Sequence, residues 1–169
     1  MSGVRGRISI YRKIGKQGEV MDSTDKIALI RLMRPEDSED ISRIYSVITK
    51  QSVNADFSKL IKSHAGSKNS VCYVAELDGR IVGFMISYIL TLSFEADKSA
   101  CIAIMGVDPG CMGQGIGAHL AAESLKFYET QGITRVYTSV KWDSCDVLSF
   151  FRTLNFERSD FINLTKKLA

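Results

Sequence analysis

The stretch "IMGVDPGCMGQGIGAHLAAESLKFYETQGITRVYTSV", residues 104–140, decides how the chain is read. It opens inside a β-rich run, "ACIAIMGV" (100–107), which Asp108-Pro109 ends. Four glycines, at 110, 113, 115 and 117, then stand between residues 108 and 120. A helical pattern of about 16 residues follows, with Ile116, Leu120, Ala121, Phe127 and Tyr128 on its apolar face. Gly132 is placed to end that helix in the left-handed conformation, and "RVYTSVKW" (135–142) reads as a further strand. Glycine inside an element costs roughly 0.5–1 kcal/mol relative to alanine. A cluster of them before a helix therefore implies that the backbone is approached closely by something. Strand, glycine turn and helix N-terminus together make an anion site, because unpaired N–H groups converge there and the helix dipole favours negative charge.

Two common phosphate motifs do not fit. Gly110 and Gly115 have the spacing of a Walker A loop, but Ile116-Gly117 stands where Lys-Ser/Thr is required. The dinucleotide fingerprint fails as well, since Gly115-Ile116-Gly117 is followed by Ala118-His119-Leu120 with no third glycine.

Outward from this stretch the pattern is that of one mixed α/β layer. Upstream, "VCYVAELDGRIVGFMISYIL" (71–90) is a hairpin, two β-rich runs around Asp78-Gly79, a favoured type I′ pair. "IALIRLM" (27–33) reads as a strand. Glu36, Asp37, Glu39 and Asp40 crowd the start of a helix whose apolar residues Ile41, Ile44, Tyr45 and Ile48 recur at i, i+3, i+4, i+7. A weaker helix covers 54–64. Downstream, Val147, Phe150, Phe151 and Leu154 mark another helix, and "DFINLTKKL" (160–168) reads as a closing strand. The fold class expected is α/β (α+β in some schemes), a mixed, mostly antiparallel sheet flanked by about four helices. Residues 27–169 form a single domain. Residues 1–26 are read as a basic arm in which only "RISIYRK" (7–13) alternates like an edge strand.

Composition bounds the function. The chain has 169 residues, 45% hydrophobic and 24% charged, with a net charge of +3, which permits an anionic ligand without pointing to nucleic acid. No apolar run reaches membrane-spanning length and the N-terminus has no signal-peptide core, so a cytoplasmic protein is expected. Cys72, Cys101, Cys111 and Cys145 are scattered, without a CxxC pair, so neither a metal site nor a disulfide framework is expected.

The quoted stretch resembles the acyl-CoA-binding segment of the GNAT superfamily of N-acetyltransferases. That pattern is a strand ending near V-x-P, then [RQ]-x-x-G-x-[GA], a long helix and another strand; Val107-Asp108-Pro109 and Gly113-Gln114-Gly115-Ile116-Gly117 match it. "DSCDVLSFFRTLNF" (143–156) is similar to the family's N-x-x-A-x-x-F-Y-x-x-x-G-F helix. The resemblance implies acetyl-CoA as acyl donor, with no metal. Backbone groups of Met105, Gly106 and Val107 would pair with the pantetheine arm. N–H groups of Gly113, Gln114, Gly115, Ile116, Gly117 and Ala118 would cradle the pyrophosphate, with Ser144 and Phe151 also beside the cofactor. The chain departs from the pattern at Met112, where Arg or Gln is usual, at Ser144 for Asn, at Asn155 for Gly, and at Phe151, where many relatives carry the Tyr that protonates the departing thiolate.

The reaction implied is direct attack of a neutral primary amine, on a protein lysine, an N-terminus or a small molecule, upon the thioester. Deprotonating a lysine-like amine of pKa about 10.4 at neutral pH costs roughly 4.6 kcal/mol, which a positioned base could supply. "ACIAIMGV" carries no carboxylate, so Asp97, Asp143 and Tyr137 are the catalytic candidates, with Tyr88 as a further strand tyrosine able to relay protons. Strand-end acids are commonly solvated and strand tyrosines commonly pack. The alternative is a catalytically weak or inactive CoA-binding regulatory module. The acceptor's identity and a homodimer both stay open.

Overall fold

The computed structural model describes residues 27–52, 55–65, 67, 69–91 and 98–168. The basic arm, its edge strand at 7–13 and Asp97 lie outside them.

Strands β1 (Leu29–Leu32), β2 (Ser70–Leu77), β3 (Arg80–Thr91), β4 (Lys98–Val107) and β5 (Arg135–Thr138) form one sheet in sequence order. The first four are antiparallel, and β5 runs parallel to β4. The β2–β3 turn is set by Asp78 (φ 51°) and Gly79 (φ 76°), both left-handed as a type I′ turn requires. Helices α1 (Ser38–Thr49) and α2 (Ala55–His64) cover one face, where Ile41, Ile44 and Ile61 meet Val74, Phe84 and Ile86. Helices α3 (Ile116–Thr130) and α4 (Cys145–Thr153) cover the other, where Leu120, Ala121 and Phe151 meet Ala75, Met85 and Ile102. The architecture is the expected mixed, mostly antiparallel sheet flanked by four helices, with five strands in the sheet.

Helix α1 is seated by charge as well as by its apolar stripe. Arg31 on β1 donates two bonds of 2.8 Å to the buried Asp37 carboxylate and a third of 2.7 Å to Glu76 on β2. Asp37 also accepts from the Arg34 backbone N–H at 2.7 Å, closing a capping arrangement ahead of α1. Burial works to raise the Asp37 pKa, but the bonds from Arg31 and Arg34 outweigh it and hold the carboxyl below its usual range.

Two features differ from the sequence expectation. Strand β5 is four residues, ending at Thr138 rather than 142, and residues 160–168 join no strand ladder. Ile162 and Leu164 are 75% and 87% exposed, and the segment touches the sheet's end through Asn163 Nδ2–H to Ser139 Oγ at 3.0 Å. Alternation in "DFINLTKKL" describes a strand that has a partner. The edge it would join is four residues long and offers few ladder bonds, so alternation alone does not bring pairing about.

Candidate active site

The site follows from how β4 and β5 part. Ser99–Ile102 pair with Arg135–Thr138, and there the parallel ladder stops. The Thr138 hydroxyl donates to the Ile102 carbonyl at 3.1 Å, marking the last point of contact. Strand β4 continues to Val107 along β3 alone. The register shifts at this place: Ser87 faces Ile102 and Ile86 faces Ile104, so Ala103 is an extra, exposed residue in β4. Among the described residues, the side of β4 turned away from β3 has no strand beside it from Ala103 to Val107. Such an edge offers backbone donors and acceptors to an extended ligand, as an added strand would be received.

Met105 and Val107 are half-buried on this stretch and Gly106 is buried. A Cβ at Gly106 would lie 2.6 Å from Ile48 Cδ1 and 2.9 Å from Phe84 Cε1, so glycine there lets α1 close on the strand.

Asp108 ends the strand with its side chain accepting from Arg43 Nη1 at 2.7 Å and from the Gly110 backbone N–H at 3.1 Å. Arg43 also reaches the Ile81 carbonyl at 3.1 Å, so one guanidinium ties α1, β3 and the start of the loop together. The Arg43 bond, helped by Gly110, lowers the Asp108 pKa. Beyond a short turn at Pro109–Cys111 the chain passes Gly113 (φ 79°) and Gly115 (φ 76°), conformations that an L side chain rarely adopts. A Cβ on either would meet nothing within 4 Å. The first intrahelical bond of α3 runs from His119 N–H to the Gly115 carbonyl at 3.0 Å, so the N–H groups of Ile116, Gly117 and Ala118 precede any intrahelical acceptor. This exposed loop at the N-terminus of a 15-residue helix, directly after the unpaired stretch of β4, can hold a diphosphate. Gln114 and Ala118 are exposed there, and Met112 is 56% exposed beside them.

Gly117 has a different surrounding from the other two. Its added Cβ would lie 3.2 Å from Phe150 Cε2 and 3.5 Å from Met105 Cε, so its side is turned to α4. Helix α4 starts after Ser144, half-buried, whose side chain makes no capping bond. Phe151 is 5% exposed, edge-to-face with Phe150 at 5.3 Å and with Phe156 at 5.1 Å, within the α3–α4 side of the core.

Asp97 falls outside the described residues, and the other two catalytic candidates sit on different elements. Asp143 is exposed in the turn before α4, and Tyr137 is half-buried on β5, where it lines a groove of about 550 Å³ with Arg135, Phe156 and Phe161. That groove lies along the β5 edge that a closing strand would cover; none of Gly113–Ala118 lines it. A pair that residue patterns do not reveal is Tyr88 and His64, whose Oη and Nε2 are 2.9 Å apart across 24 positions. Among the described residues no helix is long and apolar enough to cross a membrane.

Comparison with known proteins adds the family. Mycothiol acetyltransferase from Amycolatopsis mediterranei (strain U-32) is 24% identical over 91 residues, 52% of this chain and 30% of that protein, so the chain spans under a third of that relative's length. An aminoglycoside acetyltransferase from an uncultured soil metagenomic sample has the same fold, with a TM-score of 0.73 at 22% identity over 86% of this chain and 99% of that one. So does a ribosomal-protein-alanine N-acetyltransferase from Brucella melitensis biovar Abortus 2308, with a TM-score of 0.70 at 14% identity over 84% and 99%. An aminoglycoside N-acetyltransferase solved with CoA gives 0.73 at 14% identity over 84% and 95%. Residues 38–156 match the Acetyltransferase (GNAT) family, a span that runs from the start of α1 through the glycine loop to Phe156. The chain belongs to the Acetyltransferase (GNAT) family.

Proposed function

We propose that the protein moves an acetyl group from acetyl-CoA directly to a primary amine. The observation that carries this reading is the continuity of the unpaired β4 edge, Ala103–Val107, with the glycine loop and the α3 N-terminus. The open space at Gly113 and Gly115 fits a bulky anion held by backbone N–H groups, and the β4 edge fits an extended amide-bearing arm. Met105, Gly106 and Val107 would hold that arm, and Gly113 to Ala118 would hold the diphosphate. Acetyl-CoA supplies an acyl carbonyl and a thiolate leaving group.

The family's relatives are named for amine acceptors of several kinds, an aminoglycoside and a ribosomal-protein alanine among them. A primary amine is the acceptor class proposed for this chain. Met112 provides no charge beside the diphosphate, and the backbone N–H groups of the loop are the contacts proposed for it. Phe151 has no proton to give, so the thiolate leaves without a donor at that position and is protonated by water.

A second reading, a CoA-binding module without turnover, draws on that same buried phenylalanine. One experiment decides. Acetyl-CoA at a hundred times its Kd should stabilise the protein by about 2.7 kcal/mol, and amines should then accelerate release of free CoA. Stabilisation without amine-dependent release supports the module; neither effect refutes both.

A further inference from the structure

We propose that Tyr88 and His64 form the proton relay that strips the acceptor amine, Tyr88 touching the amine and His64 acting through it. The inference rests on the acetyl-transfer reading above and specifies the acid–base groups that it lacks.

The placement comes from the sheet register. Tyr88 on β3 is opposite Cys101 on β4, one residue before Ile102, where pairing with β5 stops. Tyr88 and Ile104 pack against the same cluster beneath α1 and α2, so the phenol stands on that face of the sheet beside the parting. The opposite face at the parting is closed by α3 and α4, where Met105 packs against the cluster that includes Leu120 and Phe151. An amine therefore reaches the donor's acyl end from the α1–α2 side.

The pair is held firmly. Oη and Nε2 are 2.9 Å apart, and the rings meet edge-on at 5.1 Å and 80°. The Ser70 hydroxyl donates to the His64 carbonyl at 2.9 Å, and Ser70 is itself the β2 residue opposite Tyr88. Besides His64 from α2, the titratable groups acting on Tyr88 are the thiols Cys72 from β2 and Cys101 from β4. Burial pushes Cys72 up to about 11 and raises Cys101, so both stay neutral at working pH. Burial, with a smaller effect from the two thiols, also raises Tyr88, so the phenol keeps its proton and passes one on as it accepts another. Imidazole is the side chain suited to receiving a proton near neutrality.

In the step, the amine nitrogen bonds to the acetyl carbonyl carbon and the carbon–sulfur bond breaks, its electron pair leaving on the CoA sulfur. The nitrogen's proton moves to Tyr88 Oη while the phenolic proton moves to His64 Nε2, leaving amide, thiolate and an imidazolium that later returns its proton to water.

The test uses the full chain, Tyr88→Phe, His64→Gln and the double variant. With any amine the parent acetylates, each single change should lower kcat about 10²-fold or more, while the Kd for acetyl-CoA and the Tm move little. The double variant should be no slower than the worse single one, as for groups that act as a unit. The pH profile of kcat should differ between the parent and His64→Gln. A readout independent of turnover is nitrogen NMR of the imidazole, with His119 as the only other histidine. It should show Nε2 as the unprotonated, hydrogen-bonded nitrogen, changed in Tyr88→Phe. An active parent whose variants keep kcat and its pH profile, or an Nε2 that carries the proton, overturns the relay alone. A parent that binds acetyl-CoA and acetylates no amine overturns the relay together with the transfer reading.

Discussion

Replacing Gly115 by alanine separates the glycines that face ligand from those that face protein. Gly115 sits at φ 76°, where an L side chain costs about 1–2 kcal/mol. No atom lies within 4 Å of the added methyl, so backbone strain is the whole stability cost. For a domain of this size that corresponds to a fall in Tm of about 2–8 °C. The methyl would stand in the open space beside the loop, where the diphosphate is proposed to lie. Displacing the anion from even one charge-assisted bond, worth about 1.5–3 kcal/mol, should raise the Kd for acetyl-CoA by about 10- to 150-fold. Gly117→Ala is the control. Its methyl would meet the Phe150 ring at 3.2 Å and the flexible end of Met105 at 3.5 Å, contacts that side chains can relax. Alanine also recovers up to about 1 kcal/mol of helix propensity, so the net change in stability should be small and the Kd should stay within a few-fold of the parent. The assay is calorimetric titration with acetyl-CoA well below every Tm. A Gly115→Ala protein that is folded and binds with the parent's Kd would refute the cradle.

Three further changes test other parts of the account. Met112→Arg places a charge beside the α3 N-terminus and should tighten acetyl-CoA binding by about 0.3–1 kcal/mol at low salt, less at high salt; equal binding at low salt would place the side chain away from the anion. Asp37→Asn should destabilise the fold by about 3 kcal/mol, since Arg31 keeps only Glu76 as a carboxylate partner. Because the folded Asp37 pKa is depressed, its stabilisation is complete above the unfolded value of about 3.9 and is lost as pH falls through the folded one. The stability of the parent against denaturant, read by circular dichroism, should therefore fall as pH drops below about 3.9, and Asp37→Asn should lack that component. Gly106→Ala drives a methyl against Ile48 and Phe84 and should cost about 1–3 kcal/mol, read as a lowered Tm; an unchanged Tm would mean that α1 does not close on β4 as described.

What was legible in the sequence was local. The Asp78-Gly79 turn, the apolar stripe of α1 and the left-handed ends at Gly132 (φ 70°) and Asn155 (φ 61°) each follow from a few neighbouring residues. The glycine loop at the start of α3 was legible because glycine spacing and helix start lie within ten residues. Longer-range features were not. The extra residue Ala103 and the early end of β5 depend on register between strands, which no single run encodes. Arg43 and Asp108 meet across 65 positions, and Tyr88 and His64 across 24, through packing of α1 and α2 on the sheet. Gly117 reads like Gly113 and Gly115 in the sequence, yet its side is taken by Phe150. The closing strand failed for the related reason that alternation specifies a face and not a partner.

The central claim is that an acyl donor lying along Ala103–Val107 passes its acetyl group straight to an amine. The direct measurement follows labelled acetyl-CoA mixed with the protein and a panel of protein N-termini, lysine peptides and small primary amines, with intact-protein mass spectrometry alongside. The account predicts label on an amine of the panel, in step with CoA release, and none held covalently by the protein. Label that stays on donor while acetyl-CoA is bound, or that accumulates on the chain itself, would contradict it.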